Sequence, residues 1–86
     1  MNNNLTFAEK AMVEQMLKDR KEDKLEPEFE VRIDKILEKF HAGESADMTY
    51  FERMIVVQQI ELKLETNLEK ILADKFEKIR KKLLDI

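Results

Sequence analysis

From Met48 to Ile86 the chain has neither glycine nor proline, and its 86 residues contain just one of each. Sheet proteins take most of their tight turns from these two residues. A chain this poor in both is confined to long helices joined by few corners. Apolar residues make up 43% and charged residues 41%, which is the composition of helical bundles and coiled coils and too apolar for a disordered tail. The expected fold is all-α. At this length the chain forms one domain, residues 1–86, with a thin core.

Punctuation divides it. After a disordered start over residues 1–5, Thr6 followed by Glu9 has capping-box spacing and opens a first helix over residues 6–20. Ala8, Met12 and Met16, with Val13 and Leu17 beside them, give that helix its apolar side. It ends in the charged run from Asp19 to Lys24. Pro27 suits the first turn of a second helix over residues 27–42, and Glu26, Glu28 and Glu30 complement its dipole. Phe29, Ile33, Ile36, Leu37 and Phe40 form its stripe, and Gly43 closes it.

A third helix, capped by Asp47 or Thr49, is expected to run over residues 48–85. The box formed by Thr49 and Glu52 marks its start. Tyr50, Met54, Val57, Ile60, Leu64, Leu68 and Ile71 share one face, and Leu72, Phe76, Ile79, Leu83 and Ile86 continue on a neighbouring stripe. Unbroken, this helix is roughly 55 Å long, against about 24 Å for the second at 1.5 Å per residue. The first two helices then cover only its N-terminal half, because the short connection after Gly43 sets the second antiparallel beside it.

The expected architecture is therefore a three-helix bundle with a long C-terminal helix. The alternative is four helices, with a break near Thr66-Asn67, where Thr66 and Glu69 again have capping-box spacing. Thr and Asn interrupt a helix only weakly, which favours the unbroken form.

With no cysteine, disulfides, zinc–thiolate sites and thiol catalysis are excluded. One glycine cannot build a phosphate cradle, and Ser45 is the only serine, in a loop beside the lone His41. No enzyme activity, cofactor, metal or small-molecule substrate is expected. Residues 1–20 are too charged for a secretory signal, and the longest apolar run, Met54 to Val57, falls far short of the ~20 residues of a membrane span. A cytoplasmic location without membrane contact is the expectation. Net charge is −3, unlike a typical nucleic-acid binder. Lysines outnumber arginines twelve to four and the start is Asn-rich, a bias shared with AT-rich bacterial, phage or plasmid genomes.

Several constellations have bland readings. His41 suits the end of a helix dipole, and Glu61, Glu65 and Glu69 suit a solvated face. Residues 37–54 loosely resemble a helix-turn-helix, but Tyr50, Phe51 and Met54 fit core anchors and leave Arg53 as the one base-reading candidate. The uncovered stripe carries more weight. Leu68, Ile71, Leu72, Phe76, Ile79 and Leu83 are the expected contact residues of a protein-interaction module. Such a module would be a small regulator, inhibitor or assembly factor of bacterial or phage/plasmid type, binding another protein or forming a homodimer. The alternative is a nucleic-acid-binding accessory protein using Lys75, Lys78, Arg80, Lys81 and Lys82.

Overall fold

The computed structural model describes residues 5–84: four α-helices and one short 3-10 turn, with no strand among the described residues. The helices are α1 (Phe7–Lys21), α2 (Pro27–His41), α3 (Tyr50–Leu64) and α4 (Lys70–Leu84), and the 3-10 turn covers Ser45–Asp47. The disordered start expected over residues 1–5 lies outside the described residues except at Leu5, which is buried in the core.

Local chemistry sets each boundary. Thr6 caps α1 through a full capping box: the Glu9 amide donates to Thr6 Oγ1 at 3.1 Å, and the Thr6 amide donates to Glu9 Oε1 at 2.8 Å. Thr49, not Asp47, caps α3 in the same way with Glu52, at 3.1 and 2.9 Å. Pro27 occupies the first turn of α2. At its other end Gly43 takes φ +76°, which lets its amide reach Phe40 O at 3.2 Å and the Glu44 amide reach Lys39 O at 2.7 Å. These two bonds form a Schellman closure and account for the single glycine.

The long third helix is the expectation that fails. α3 ends at Leu64 and a new helix starts at Lys70, so the four-helix alternative is the fold. The break falls near Thr66-Asn67, but Thr66 does not open α4. Its hydroxyl donates backwards to Lys63 O at 2.6 Å, its amide reaches the same carbonyl at 3.1 Å, and together they close α3. The energetic reason is burial. Folding α4 back places Phe76, Ile79 and Leu83 in the core, worth roughly 5–9 kcal/mol for three large side chains. That outweighs the few tenths of a kcal/mol by which Thr and Asn differ from good helix formers.

α1 packs against α2 and α3, and α4 lies against α3. The core gathers Val13, Met16 and Leu17 of α1, Ile33, Ile36 and Phe40 of α2, and Ile55, Val56, Val57 and Ile60 of α3 around the three α4 residues. The body is flattened, 32 × 30 × 19 Å. Ion pairs stitch its edges: Lys21 with Asp34, Lys39 with Glu52, Arg80 with Glu61, and Lys82 with Glu9. Among the described residues no helix is long and apolar enough to cross a membrane.

Candidate interaction surface

The break divides the six-residue stripe expected to meet a partner. Phe76, Ile79 and Leu83 are buried, and Leu68 is half-buried against the same core. Ile71, 69% exposed, and Leu72, partly exposed, remain at the start of α4. Most of the burial problem that suggested a homodimer is thus solved inside the chain.

The basic cluster divides as well. Arg80 donates to Glu61 at 3.2 Å and to Glu77 at 3.0 Å, and Lys82 donates to Glu9 at 2.7 Å. Lys75, Lys78 and Lys81 are exposed, with no ion pair among the described residues. The acidic row of Glu61, Glu65 and Glu69 is interrupted too, because Glu65 caps α3 and Glu69 precedes α4. His41 is exposed at the end of α2.

A different surface emerges where α2 meets the start of α3. Tyr50 and Phe51, expected as core anchors, are 60% and 56% exposed, and the exposed Val31 of α2 lines a cleft with Phe51. The reason is position along the helix. Both residues stand in the first turn of α3, and the buried residues of that helix begin one turn further on, at Ile55. Met54 is half-buried against that core. Arg32 lies over the Phe51 ring at 4.9 Å and Arg53 over the Tyr50 ring at 5.7 Å, so each of these two rings carries a guanidinium. Arg53, the base-reading candidate, is thus held against an aromatic ring.

Val31, Arg32, Lys35, Phe51 and Ile55 line a cleft of about 470 Å³ here. None of Arg32, Lys35 and Arg53 has an ion pair among the described residues. Sequence periodicity alone missed this surface. Adjacency gives no signal, since Ile55, Val56 and Val57 of the same helix are also consecutive and all three are buried.

The floor of the surface is held rigidly. Glu52 Oε1 accepts both the Thr49 amide and Lys39 Nζ, the latter at 2.7 Å, and Lys39 also donates to Asp47 O at 3.1 Å. Burial alone would raise the Glu52 pKa. The hydrogen bond and charge of Lys39 and the Thr49 amide outweigh it and hold the carboxyl below its ordinary range.

A second cleft, of about 300 Å³, opens between the C-terminal ends of α1 and α3. Its walls include Met16, Arg20, Asp23, Gln59, Leu62 and Lys63. Gln59 is 4% exposed, and among the described residues neither its Oε1 nor the buried Nε of Arg20 has a hydrogen-bond partner. Among the described residues no group of three or more His, Asp or Glu side chains is placed to hold a metal. Compared with protein-family models, with curated proteins and with solved structures, the chain matches none.

Proposed function

We propose that this protein is a non-enzymatic protein-interaction module that docks its partner on the Val31–Tyr50–Phe51 face, not on the C-terminal helix. The observation that carries the reading is the exposed aromatic pair with an arginine over each ring. Tyrosine and arginine are the residue types that most often dominate binding energy at interfaces, and aromatic side chains supply large contact area for little entropy lost. The capping box and Lys39 fix the first turn of α3, so both rings are presented on a rigid element. Of the charged residues that line the cleft, Arg32 and Lys35 have no ion pair among the described residues and outnumber Glu28, Glu52 being taken by Lys39, which favours a partner segment that combines apolar side chains with carboxylates.

The test is photo-crosslinking in the source cells, with a benzophenone amino acid at position 51, 31 or 75. Positions 51 and 31 are expected to give the same heavier adduct, and position 75 none. An adduct from 75 alone moves the partner to α4 and removes this reading.

A second reading, nucleic-acid binding, keeps one supporting observation: Lys75, Lys78 and Lys81 have no carboxylate partner among the described residues. With Arg80 and Lys82 committed elsewhere, about three phosphates are within its means, so the slope of log affinity against log salt is at most about −2.7. A steeper slope, or no shift of DNA or RNA at low salt, rejects this version.

A further inference from the structure

We infer, resting on the docking role proposed for the Val31–Tyr50–Phe51 face, that its occupant is a second copy of this chain, with the two α2 helices antiparallel about a two-fold axis. The observation that carries it is the order of charge along the outward row of α2.

Glu28, Val31, Arg32 and Lys35 are all exposed, and these four residues form the α2 wall of the cleft beside Phe51. At 100° per residue, seven positions fall about 20° short of two full turns, so Glu28 and Lys35 share one line on the helix. They stand about 10.5 Å apart along it. Val31 lies on one flank of that line, and Arg32, over the Phe51 ring, lies on the other.

An antiparallel second α2 reverses this order. Lys35 of the second copy then meets Glu28, and Glu28 of the second copy meets Lys35. One row thus supplies both halves of two ion pairs, the self-complementarity that a two-fold contact requires. Each flank keeps its own side under such an axis. Val31 meets Val31 of the second copy on one side, and the two Phe51 rings approach on the other.

Both ends of the row are available. Lys21 is engaged with Asp34 and Lys39 with Glu52, whereas Glu28, Arg32 and Lys35 have no ion pair among the described residues. Glu28 and Arg32 stand four residues apart, in the order that pairs well within one helix. Arg32 instead lies over the Phe51 ring, which leaves Glu28 for another cation. The opposing element is the Arg32 pair, which the axis brings to one flank. Each guanidinium is drawn aside onto its own ring at 4.9 Å.

A second copy also presents the chemistry the cleft favours, since Glu28 and Val31 of its α2 are a carboxylate and an apolar side chain side by side. This contact is separate from a dimer through the C-terminal stripe, whose Phe76, Ile79 and Leu83 are in the core. One helix pair with flanking aromatics is a small interface, so a Kd of about 100 µM is expected. At about 5 µM the chain is then largely monomeric.

The test is sedimentation equilibrium of the full chain from about 5 to 500 µM, where mass action moves it from monomer to dimer. Glu28→Lys and Lys35→Glu are each expected to weaken the dimer at least about tenfold, because each turns both ion pairs into like-charge pairs. Mixed in equal amounts, the two variants restore every opposite-charge pair and form a heterodimer of parental affinity. Phe51→Ser weakens the dimer and Lys75→Glu does not. Crosslinks from positions 31 and 51 then have twice the 10.3 kDa of one chain. A chain that stays monomeric throughout, charge variants that bind as the parent does, or a mixture that fails to re-form the dimer overturns the second copy. Each of these leaves the face to a foreign partner. A dimer indifferent to Phe51→Ser but lost in Leu72→Asp moves the contact to α4 and overturns both readings.

Discussion

Lys39 Nζ lies 2.7 Å from Glu52 Oε1, the same oxygen that accepts the Thr49 amide and closes the capping box of α3. Lys82 repeats the arrangement at the start of α1, 2.7 Å from the Glu9 oxygen that closes its capping box. Each helix start is thereby tied to a distant helix, α3 to α2 and α1 to α4. In both cases one carboxylate serves local and tertiary structure together.

Glu52→Ala removes a cap partner and a half-buried ion pair at once. Capping interactions cost typically ~1 kcal/mol when lost, and partly exposed pairs add up to about 1 more. Urea denaturation is expected to show a loss of about 1–2 kcal/mol, with Lys39→Ala losing less than Glu52→Ala. Equal losses would mean that the capping box contributes nothing.

Both carboxyls titrate below their ordinary range. For each, burial pushes the pKa up, and the lysine hydrogen bond, the backbone amide and the lysine charge together push it further down. A carboxyl whose folded pKa is depressed stabilises the fold above the unfolded value, about 4.3 for Glu. That contribution disappears as pH falls through the lower folded value. Stability should therefore be flat from neutral pH to about 5 and fall below about 4. Glu9→Gln with Glu52→Gln should lower the plateau and make the acid fall shallower. Denaturation midpoints measured at pH 7, 5, 4 and 3 check this.

Gln59→Met exchanges a buried amide, whose Oε1 has no hydrogen-bond partner among the described residues, for an apolar chain of similar shape. Relieving one unsatisfied buried group is expected to raise stability by about 1–2 kcal/mol. For a domain this small the melting temperature then rises by roughly 4–8 °C per kcal/mol. A destabilised variant would show that the Gln59 amide is already well paired.

Thr66→Ala with Asn67→Ala raises helix propensity across the linker by about 1 kcal/mol in total. Burial of the α4 side chains exceeds that several-fold, so the hairpin should stay closed and the protein keep the molar mass of the parent. Light scattering across a concentration series tests the point. A new dimer formed by the variant would show that the linker, not core burial, holds α4 in place.

Most of the framework was legible in the chain. Thr6–Glu9, Thr49–Glu52, Pro27 and Gly43 all sit at the boundaries their chemistry implies, because caps and closures are local and depend on residues three or four apart. The break after Leu64 was harder to place, since Thr66 and Asn67 oppose a helix so weakly. Its better signal was the change of phase between the stripe ending at Ile71 and the one running from Leu72 through Phe76, Ile79 and Leu83. Two stripes on one helix need two cores, whereas two helices need one.

The aromatic face lay beyond periodicity for a related reason. Tyr50 and Phe51 are apolar and close to a helix start, and only the packed structure shows that the buried residues of α3 begin one turn later, at Ile55. That Gln59 and Arg20 line one cleft depends on how α1 packs on α3, which no local pattern encodes.

The central claim is that two phenylalanines have opposite roles: Phe76 holds the bundle closed, and Phe51 is left outside for a partner. The most direct measurement compares the unfolding free energies of Phe76→Ala and Phe51→Ala by urea denaturation. Phe76→Ala is expected to cost about 3–5 kcal/mol, as deletion of a buried ring does. Phe51→Ala should cost no more than about 1 kcal/mol, the worth of its exposed contact with Arg32. A small loss at Phe76 together with a large one at Phe51 would contradict both the fold and the surface proposed here.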